Sequence, residues 1–221
     1  FLPNLIKDNI RRDLKKYAVA GIVPEIIDLK YLFIEADSKI YYNTNLTSGA
    51  TRVSTLVQDN VNKYANSSEI NKYGARFKYS KFLKMIDDSD ESITSNITKV
   101  RMRRDLRVIL NSFAEYKIGF GNQFYVEKFE GYNIKSSAFQ VANITGDVYL
   151  SDVPDTNRKN GSIFLFNVPA VNSNSPTILK RNVGKIDYVN GIITLNPINI
   201  TGAKIKDGQP IIEISTIPQS N

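Results

Sequence analysis

The sequence has no cysteine, no histidine and no tryptophan among its 221 residues. Without cysteine the chain can form no disulfide, hold no zinc through thiolates and offer no thiol nucleophile. Without histidine it lacks the side chain that most often acts as a general base near neutral pH. Hydrolase triads that need histidine are therefore excluded, unless another chain supplies it. The absence of cysteine is compatible with a reducing compartment.

Long apolar runs are also absent. No run approaches the roughly 18–20 residues that a membrane-spanning helix needs, so we predict a soluble chain with no membrane association. The hydrophobic content of 42% is enough for a sizeable core, in one large domain or two small ones. The first residue is Phe1 rather than methionine, which suggests a fragment of a longer protein.

The charge is basic and unevenly distributed. Lysine and arginine number 29 against 22 acidic residues, for a net charge of +7. Up to Leu110 there are 19 basic and 13 acidic residues, whereas the remainder has 10 and 9. A basic patch in the first half is compatible with nucleic acid and equally with an acidic protein neighbour.

Apolar spacing in the first half predicts the order helix, strand, helix, helix, strand. The opening helix is expected from about Pro3 to Ala18, and a long strand from Ile26 to Tyr42. After two helices, a second strand is expected from about Ile97. The connection between the strands is long enough to make them parallel neighbours. The first half therefore reads as a sandwich of helices on a small sheet, in a domain spanning residues 1–112.

The second half, residues 113–221, is expected to be a β-rich domain. Its apolar runs are short, and Asn-Gly pairs at Asn160-Gly161 and Asn190-Gly191 predict turns. The second pair separates two apolar strands and predicts a hairpin with a type I′ turn. The fold class is thus α+β: a helix and sheet sandwich with a parallel crossover, followed by a strand-rich half with hairpins.

A block from Arg76 to Leu110 carries the clearest candidate surface. In its strand, Thr98, Val100 and Met102 are expected to point to one side and alternate with basic residues on the other. Basic side chains about 7 Å apart on one face suit carboxylate or phosphate partners. The alternatives are a solvated sheet face and, for the tyrosines of the preceding strand, ordinary core packing. The candidate interface residues are Lys99, Arg101, Arg103, Arg104, Arg107, Tyr31, Tyr41 and Tyr42.

Four acids precede this strand: Asp87, Asp88, Asp90 and Glu91. A calcium loop needs ligands at set spacings around a central glycine, and no glycine lies in this turn. A glycosidase pair formed by Asp87 and Glu91 is a weaker alternative, because no substrate groove or aromatic platform is evident. We interpret the acids as a solvated turn that follows a helix.

Seven segments in and around this block carry a family resemblance: Phe77–Lys81, Ile86–Asp88, Ile93–Thr98 and Val100–Arg104, with Leu29–Glu35 and Tyr41–Asn43 before them and Gly119–Phe124 after them. They resemble the baseplate wedge subunit of T-even-type contractile-tailed phages, within the broader baseplate J-like group. The resemblance is dense from about Ile27 to Phe124 and loosest from Val148 onward.

The resemblance implies a structural virion protein without catalytic residues or cofactors. It further implies a homodimer that joins neighbouring wedges into a ring around the tail hub, with other wedge proteins and the sheath-initiating protein as partners. The expected location is the tail baseplate of the virion, assembled in the host cytoplasm, and this chain would correspond to the carboxy-terminal part. The alternative function is a basic nucleic-acid-binding module.

Overall fold

The computed structural model describes residues 4–19, 21–26, 31–126, 132–168 and 176–219. Three helices occur in these ranges: α1 (Asn4–Lys15), α2 (Ala50–Ala65) and α3 (Tyr79–Asp87). The predicted order of the first five elements is confirmed. None of the helices in the described ranges is long and apolar enough to cross a membrane. Part of the strand predicted from Ile26 lies outside the described residues.

Ten strands make up the rest of the described structure. They form one antiparallel sheet in the order β1-β2-β10-β9-β8-β7-β6, with β3 and β5 paired to β9 and β4 paired to β10. The large sheet and the strand-rich second half confirm the α+β class in its general form. The strands are β1 (Phe33–Tyr42), β2 (Ile93–Arg107), β3 (Phe113–Gly119), β4 (Lys135–Ser136), β5 (Phe139–Val141), β6 (Tyr149–Pro154), β7 (Asn160–Asn167), β8 (Thr177–Asp187), β9 (Ile192–Lys206) and β10 (Gln209–Thr216).

The predicted parallel crossover between the first two strands is wrong. β1 and β2 are neighbours, but they run antiparallel, with Phe33 opposite Arg103 and Tyr42 opposite Ile93. The connection between them contains two helices, α2 and α3. A single crossover helix brings the chain back to form a parallel strand. Two helices in series reverse the chain once more, so the second strand returns in the opposite direction.

Two clusters of buried apolar residues hold the fold together. The smaller one joins α2 and α3 through Val53, Val57, Phe82 and Ile86. The larger one fills the second half and also takes in Met102 of β2. Because β2 pairs with both β1 and β10, the sheet continues across the boundary predicted at residues 112/113. The division into two domains stays a prediction.

The hairpin predicted at Asn190-Gly191 joins β8 to β9, but its turn is not type I′. Asp187 lies opposite Ile192, which leaves a four-residue connection in which Gly191 alone has positive φ, at 63°. The Asp187 carboxylate accepts hydrogen bonds from the backbone N and the side-chain Nδ2 of Asn190, at 2.9 and 2.7 Å. Tyr188 is buried in the core. The connection is longer than two residues because Tyr188 is buried in the core and the Asp187 carboxylate caps the turn.

The turn predicted at Asn160-Gly161 is also wrong, because both residues open strand β7. A Cβ on Gly161 would lie 2.4 Å from the backbone O of Val153 and 3.0 Å from Oη of Tyr188. Glycine is needed here for the close approach of neighbouring groups, and not for a turn conformation.

Candidate assembly interface

The two faces of the β1–β2 ribbon have different characters. Thr98, Val100 and Met102 lie opposite Ser38, Ala36 and Ile34, on the side covered by the helices. We call this side the helix face. The other side carries Glu35, Asp37 and Lys39 of β1 with Lys99, Arg101 and Arg103 of β2, and we call it the charged face. The predicted alternation along β2 is confirmed.

Acids from β1 interleave with the basic residues of the charged face. Asp37 lies directly opposite Lys99, and Glu35 directly opposite Arg101. Opposite charges at such positions stabilise an antiparallel pair by roughly 0.2–1 kcal/mol each. Two acids thus lie among four basic residues on this side, so the face predicted to be arginine-rich is partly neutralised within the chain. The sequence does show this pattern, because charged residues recur with a period of two along β1.

Arg103 is the most strongly engaged of the predicted interface residues. Its Nη1 lies 2.9 Å from Oε1 of Glu35, and its Nε lies 3.2 Å from Oδ1 of Asp105. Its guanidinium carbon stands 4.6 Å from the ring centroid of Phe33. Lys206 contacts the other oxygen of Asp105, at 2.7 Å. The side chain of Arg103 therefore joins β1 to β2 and is engaged within the chain.

Replacing Arg103 by alanine should lower the free energy of unfolding by about 1–2 kcal/mol, because two half-exposed ion pairs and a cation–π contact are lost. Urea unfolding measures the change. The matched control is Lys99→Ala, an exposed residue on the same face, which should change stability by less than about 0.5 kcal/mol. Equal effects of the two substitutions would contradict this assignment.

The remaining arginines do not form one patch. Arg104 lies on the side of the sheet opposite Arg103, where burial lowers the pKa of its guanidinium. Arg107 is exposed at the end of β2, opposite Ile211 of β10. Arg101 is half-buried, and its Nη1 has no hydrogen-bond partner among the described residues. The alternation of a strand separates Arg104 from the others, although the sequence groups them.

The three predicted tyrosines also have different surroundings. Tyr42 packs against the helices on the helix face. Tyr41 is 52% exposed on the charged face, close to Ile97, which is 55% exposed. Tyr31 precedes β1, is exposed, and has its ring centroid 6.2 Å from that of Phe33. Tyr31 and Tyr41 are thus available for contact, whereas Tyr42 belongs to the core.

The acidic turn has a structural role. Asp87 accepts a hydrogen bond from Nδ2 of Asn96, and Asp88 pairs with Lys84 at 2.9 Å. Hydrogen bonds from Ser92, together with Arg52, lower the pKa of Asp90. Within the described ranges, no group of three or more acidic side chains could share a metal ion. The acids fix the passage from α3 into β2.

A groove runs along the helix face between β1 and α2. Its volume is about 660 Å³. Ala36, Ser38 and Ile40 form its floor, and Val53 and Val57 of α2 form one wall. The groove is mostly apolar and reaches the outermost strand of the sheet.

The outer edge of β1 is the feature that the sequence reading missed. β1 pairs with β2 along one edge, and no strand of the described residues pairs with its other edge. The pattern of the sequence identifies β1 as a strand but does not show which strands lie at the ends of a sheet. This edge adjoins the groove on the helix face and the exposed Tyr41 on the charged face.

Two comparisons with known proteins bear on this region. Residues 30–105 match the family model "Baseplate structural protein gp6, C-terminal domain III". The chain is also 27% identical over 124 residues to the baseplate wedge protein gp6 of Enterobacteria phage T4. That match covers 56% of this chain but only 18% of the relative's length. Together they confirm the predicted resemblance to the carboxy-terminal part of a baseplate wedge subunit.

Proposed function

We propose that this chain is a structural component of a contractile phage tail: a baseplate wedge subunit that forms a homodimer and joins neighbouring wedges into a ring around the tail hub. The observation that carries the proposal is the family match over residues 30–105. This range coincides with β1, α2, α3 and all but the end of β2. The matched unit therefore carries the charged face, the groove and the open edge.

The proposed partners are a second copy of the chain, other wedge proteins and the sheath initiator. The proposed location is the baseplate of the virion, with assembly in the host cytoplasm, and the proposed role is non-catalytic. The surface of the β1–β2 ribbon supports an assembly role, because it combines exposed tyrosines with a strand edge to which no strand of the described residues pairs. Tyrosine is enriched in protein interfaces.

The alternative, a basic nucleic-acid-binding module, is not supported by the charged face. Phosphate backbones are bound by clustered cations, whereas Glu35 and Asp105 neutralise Arg103 here. The aromatic side chains are few on this face and do not form a stacking platform for bases. Fluorescence anisotropy with labelled duplex and single-stranded DNA at about 50 mM salt should detect no salt-sensitive binding.

Sedimentation of the 221-residue chain tests the proposed homodimer. We expect a monomer–dimer equilibrium at micromolar concentration, and a chain that stays monomeric at several hundred micromolar would contradict it. Location is tested separately by mass spectrometry of tails purified from the virus that encodes the chain. Recovery with the baseplate is expected, and its absence from purified tails would overturn the proposed location.

A further inference from the structure

We infer that β1 of one copy pairs antiparallel with β1 of a second copy, around a two-fold axis at Ser38, so that the two sheets become continuous. This inference rests on the proposed homodimer and assigns its interface. The occupant of the open edge is thus the same ten-residue strand, Phe33–Tyr42, from the partner.

The open edge is suited to strand addition. β1 has ten residues, about twice the usual strand length. Proteins commonly protect sheet edges with proline, with bulges, with charged side chains or by covering them. The charged residues of β1, Glu35, Asp37 and Lys39, are of both signs, so a second copy of the strand can neutralise them. β1 contains no proline, and its pairing with β2 is regular from Phe33 to Tyr41. Its outer backbone groups therefore form a regular template for another strand.

Charge complementarity selects the register. A two-fold axis at Ser38 places Asp37 opposite the partner's Lys39, and Lys39 opposite the partner's Asp37. Both residues are exposed on the charged face. The symmetry therefore forms the same favourable pair twice, as an isologous interface requires. In this register Glu35 also faces the tyrosine ring of the partner's Tyr41.

The two neighbouring registers that keep the same faces together are less favourable. A two-fold axis at Lys39 would place the two Lys39 ammonium groups opposite each other and form no opposite-charge pair within β1. An axis at Asp37 would form two Glu35–Lys39 pairs, but it would also place the two Asp37 carboxylates directly opposite each other. Like charges directly opposite each other destabilise a strand pair. A shift by one residue would place helix-face residues on the charged face. The sequence of β1 thus favours one register.

The helix face is complementary in the same register. Ile40 lies opposite the partner's Ala36, and Tyr42 opposite the partner's Ile34, which is exposed in one copy alone. A large side chain meets a smaller one at each position, and the two Ser38 side chains meet at the axis. The groove floor formed by Ala36, Ser38 and Ile40 then continues into the second copy.

Single-cysteine variants test the register, because the natural chain contains no other thiol. In Ser38→Cys, the two Cα atoms should lie about 4.5–5.5 Å apart, within disulfide range. Diamide, which takes up the two thiol hydrogens, should convert this variant to a covalent dimer on a non-reducing gel. Ala36→Cys and Ile40→Cys are matched controls: each self-pair lies about 13 Å apart and should not link, whereas a mixture of the two should.

Charge reversal provides the second test. Asp37→Lys places a lysine opposite the partner's Lys39, and the two-fold axis repeats this repulsive contact. The substitution should therefore raise the dimer dissociation constant by roughly tenfold. The double variant D37K/K39D exchanges the two charges and should restore dimerisation. The double variant also separates this effect from the loss of the Asp37–Lys99 pair within the chain, since it does not restore that pair. Circular dichroism verifies that each variant is folded.

The outcomes separate this inference from the function on which it rests. A dimer that links through Ser38→Cys and responds to the charge swap supports both. A dimer that does neither overturns the β1 interface and leaves the proposed homodimer standing. A chain that is monomeric at every concentration contradicts the homodimer itself. If Ser38→Cys in purified tails cross-links only to a different baseplate protein, the inference that a second copy occupies the open edge of β1 is wrong.

Discussion

Alanine at Gly191 should lower the free energy of unfolding by about 2–5 kcal/mol. Gly191 has φ of 63°, in the left-handed region that favours glycine. A Cβ at this position would lie 1.9 Å from the backbone O of Asn122. The contact cannot be relieved by turning a side chain, because the Asn122 oxygen belongs to the backbone. Phe120 also donates its backbone N–H to the Gly191 carbonyl at 2.9 Å, which holds the two segments together. Differential scanning calorimetry should show a fall in Tm of roughly 5–15 °C.

Gly208 supplies the matched control for this substitution. It has a similar φ of 72° in the turn between β9 and β10, but an added Cβ would have no atom of the described residues within 4 Å. Gly208→Ala should therefore cost only the backbone strain, about 1 kcal/mol. The difference between the two variants isolates the contact with Asn122. Equal losses of stability would contradict the proposed steric effect.

Removal of the Asp152 carboxylate should be the second large perturbation. Asp152 is fully buried. Its Oδ1 accepts the backbone N–H of Ile134 at 2.7 Å, and its Oδ2 accepts the hydroxyl of Tyr188 at 2.6 Å. Asp152→Ala leaves both donors without a partner and opens a cavity, which should cost about 3–5 kcal/mol by urea unfolding. Asp152→Asn keeps the volume and one acceptor and should cost clearly less.

The same residue predicts a pH dependence. Burial raises the pKa of Asp152, and the hydrogen bonds from Tyr188 and the backbone only partly oppose this. The folded chain therefore binds a proton more tightly than the unfolded chain does. The contribution that this shift makes to the free energy of unfolding is fully present below the ordinary carboxyl pKa of 3.8, and it is lost as the pH rises through the raised pKa of Asp152.

The comparison of wild type with Asp152→Asn isolates this effect. Hydrogen bonds lower the pKa values of Asp90 and Asp187, so those two residues contribute stability that is lost as the pH falls below about 3.8. Wild type and variant share that contribution, and it cancels in the difference. The stability of wild type relative to Asp152→Asn should fall as the pH rises above about 4. A flat difference across this range would refute the assignment.

The sequence predicted the local structure well where one physical pattern dominated. The alternation from Thr98 to Arg103 gave the two faces of β2, because a strand between a packed and a solvated side imposes a period of two. The two helices between the strands were likewise recognisable from their apolar spacing, and Val57 and Ile86 on their inner faces are buried. The resemblance to a baseplate wedge subunit rested on this same region.

The rest depended on contacts between distant residues. Arg103 meets Glu35 of β1, 68 positions away along the chain, and the sequence does not show that contact. The direction of β2 relative to β1 depends on how the two helices between them reverse the chain. The open edge of β1 depends on where the other strands pair. The burial of Asp152 against Tyr188 joins residues 36 positions apart. No local pattern encodes such relations.

The two-sided pairing of β2 has a mechanical consequence. Its first part pairs with β1 and its last part with β10, and the pairings overlap only at Met102 and Arg103. A tensile force applied to β1 along the strand axis would pass through the backbone of β2 into the six residue pairs from Arg107–Ile211 to Met102–Thr216. Those hydrogen bonds lie across the direction of pull and would bear the load together. The ribbon is therefore built to transmit shear into the sheet without unzipping one bond at a time.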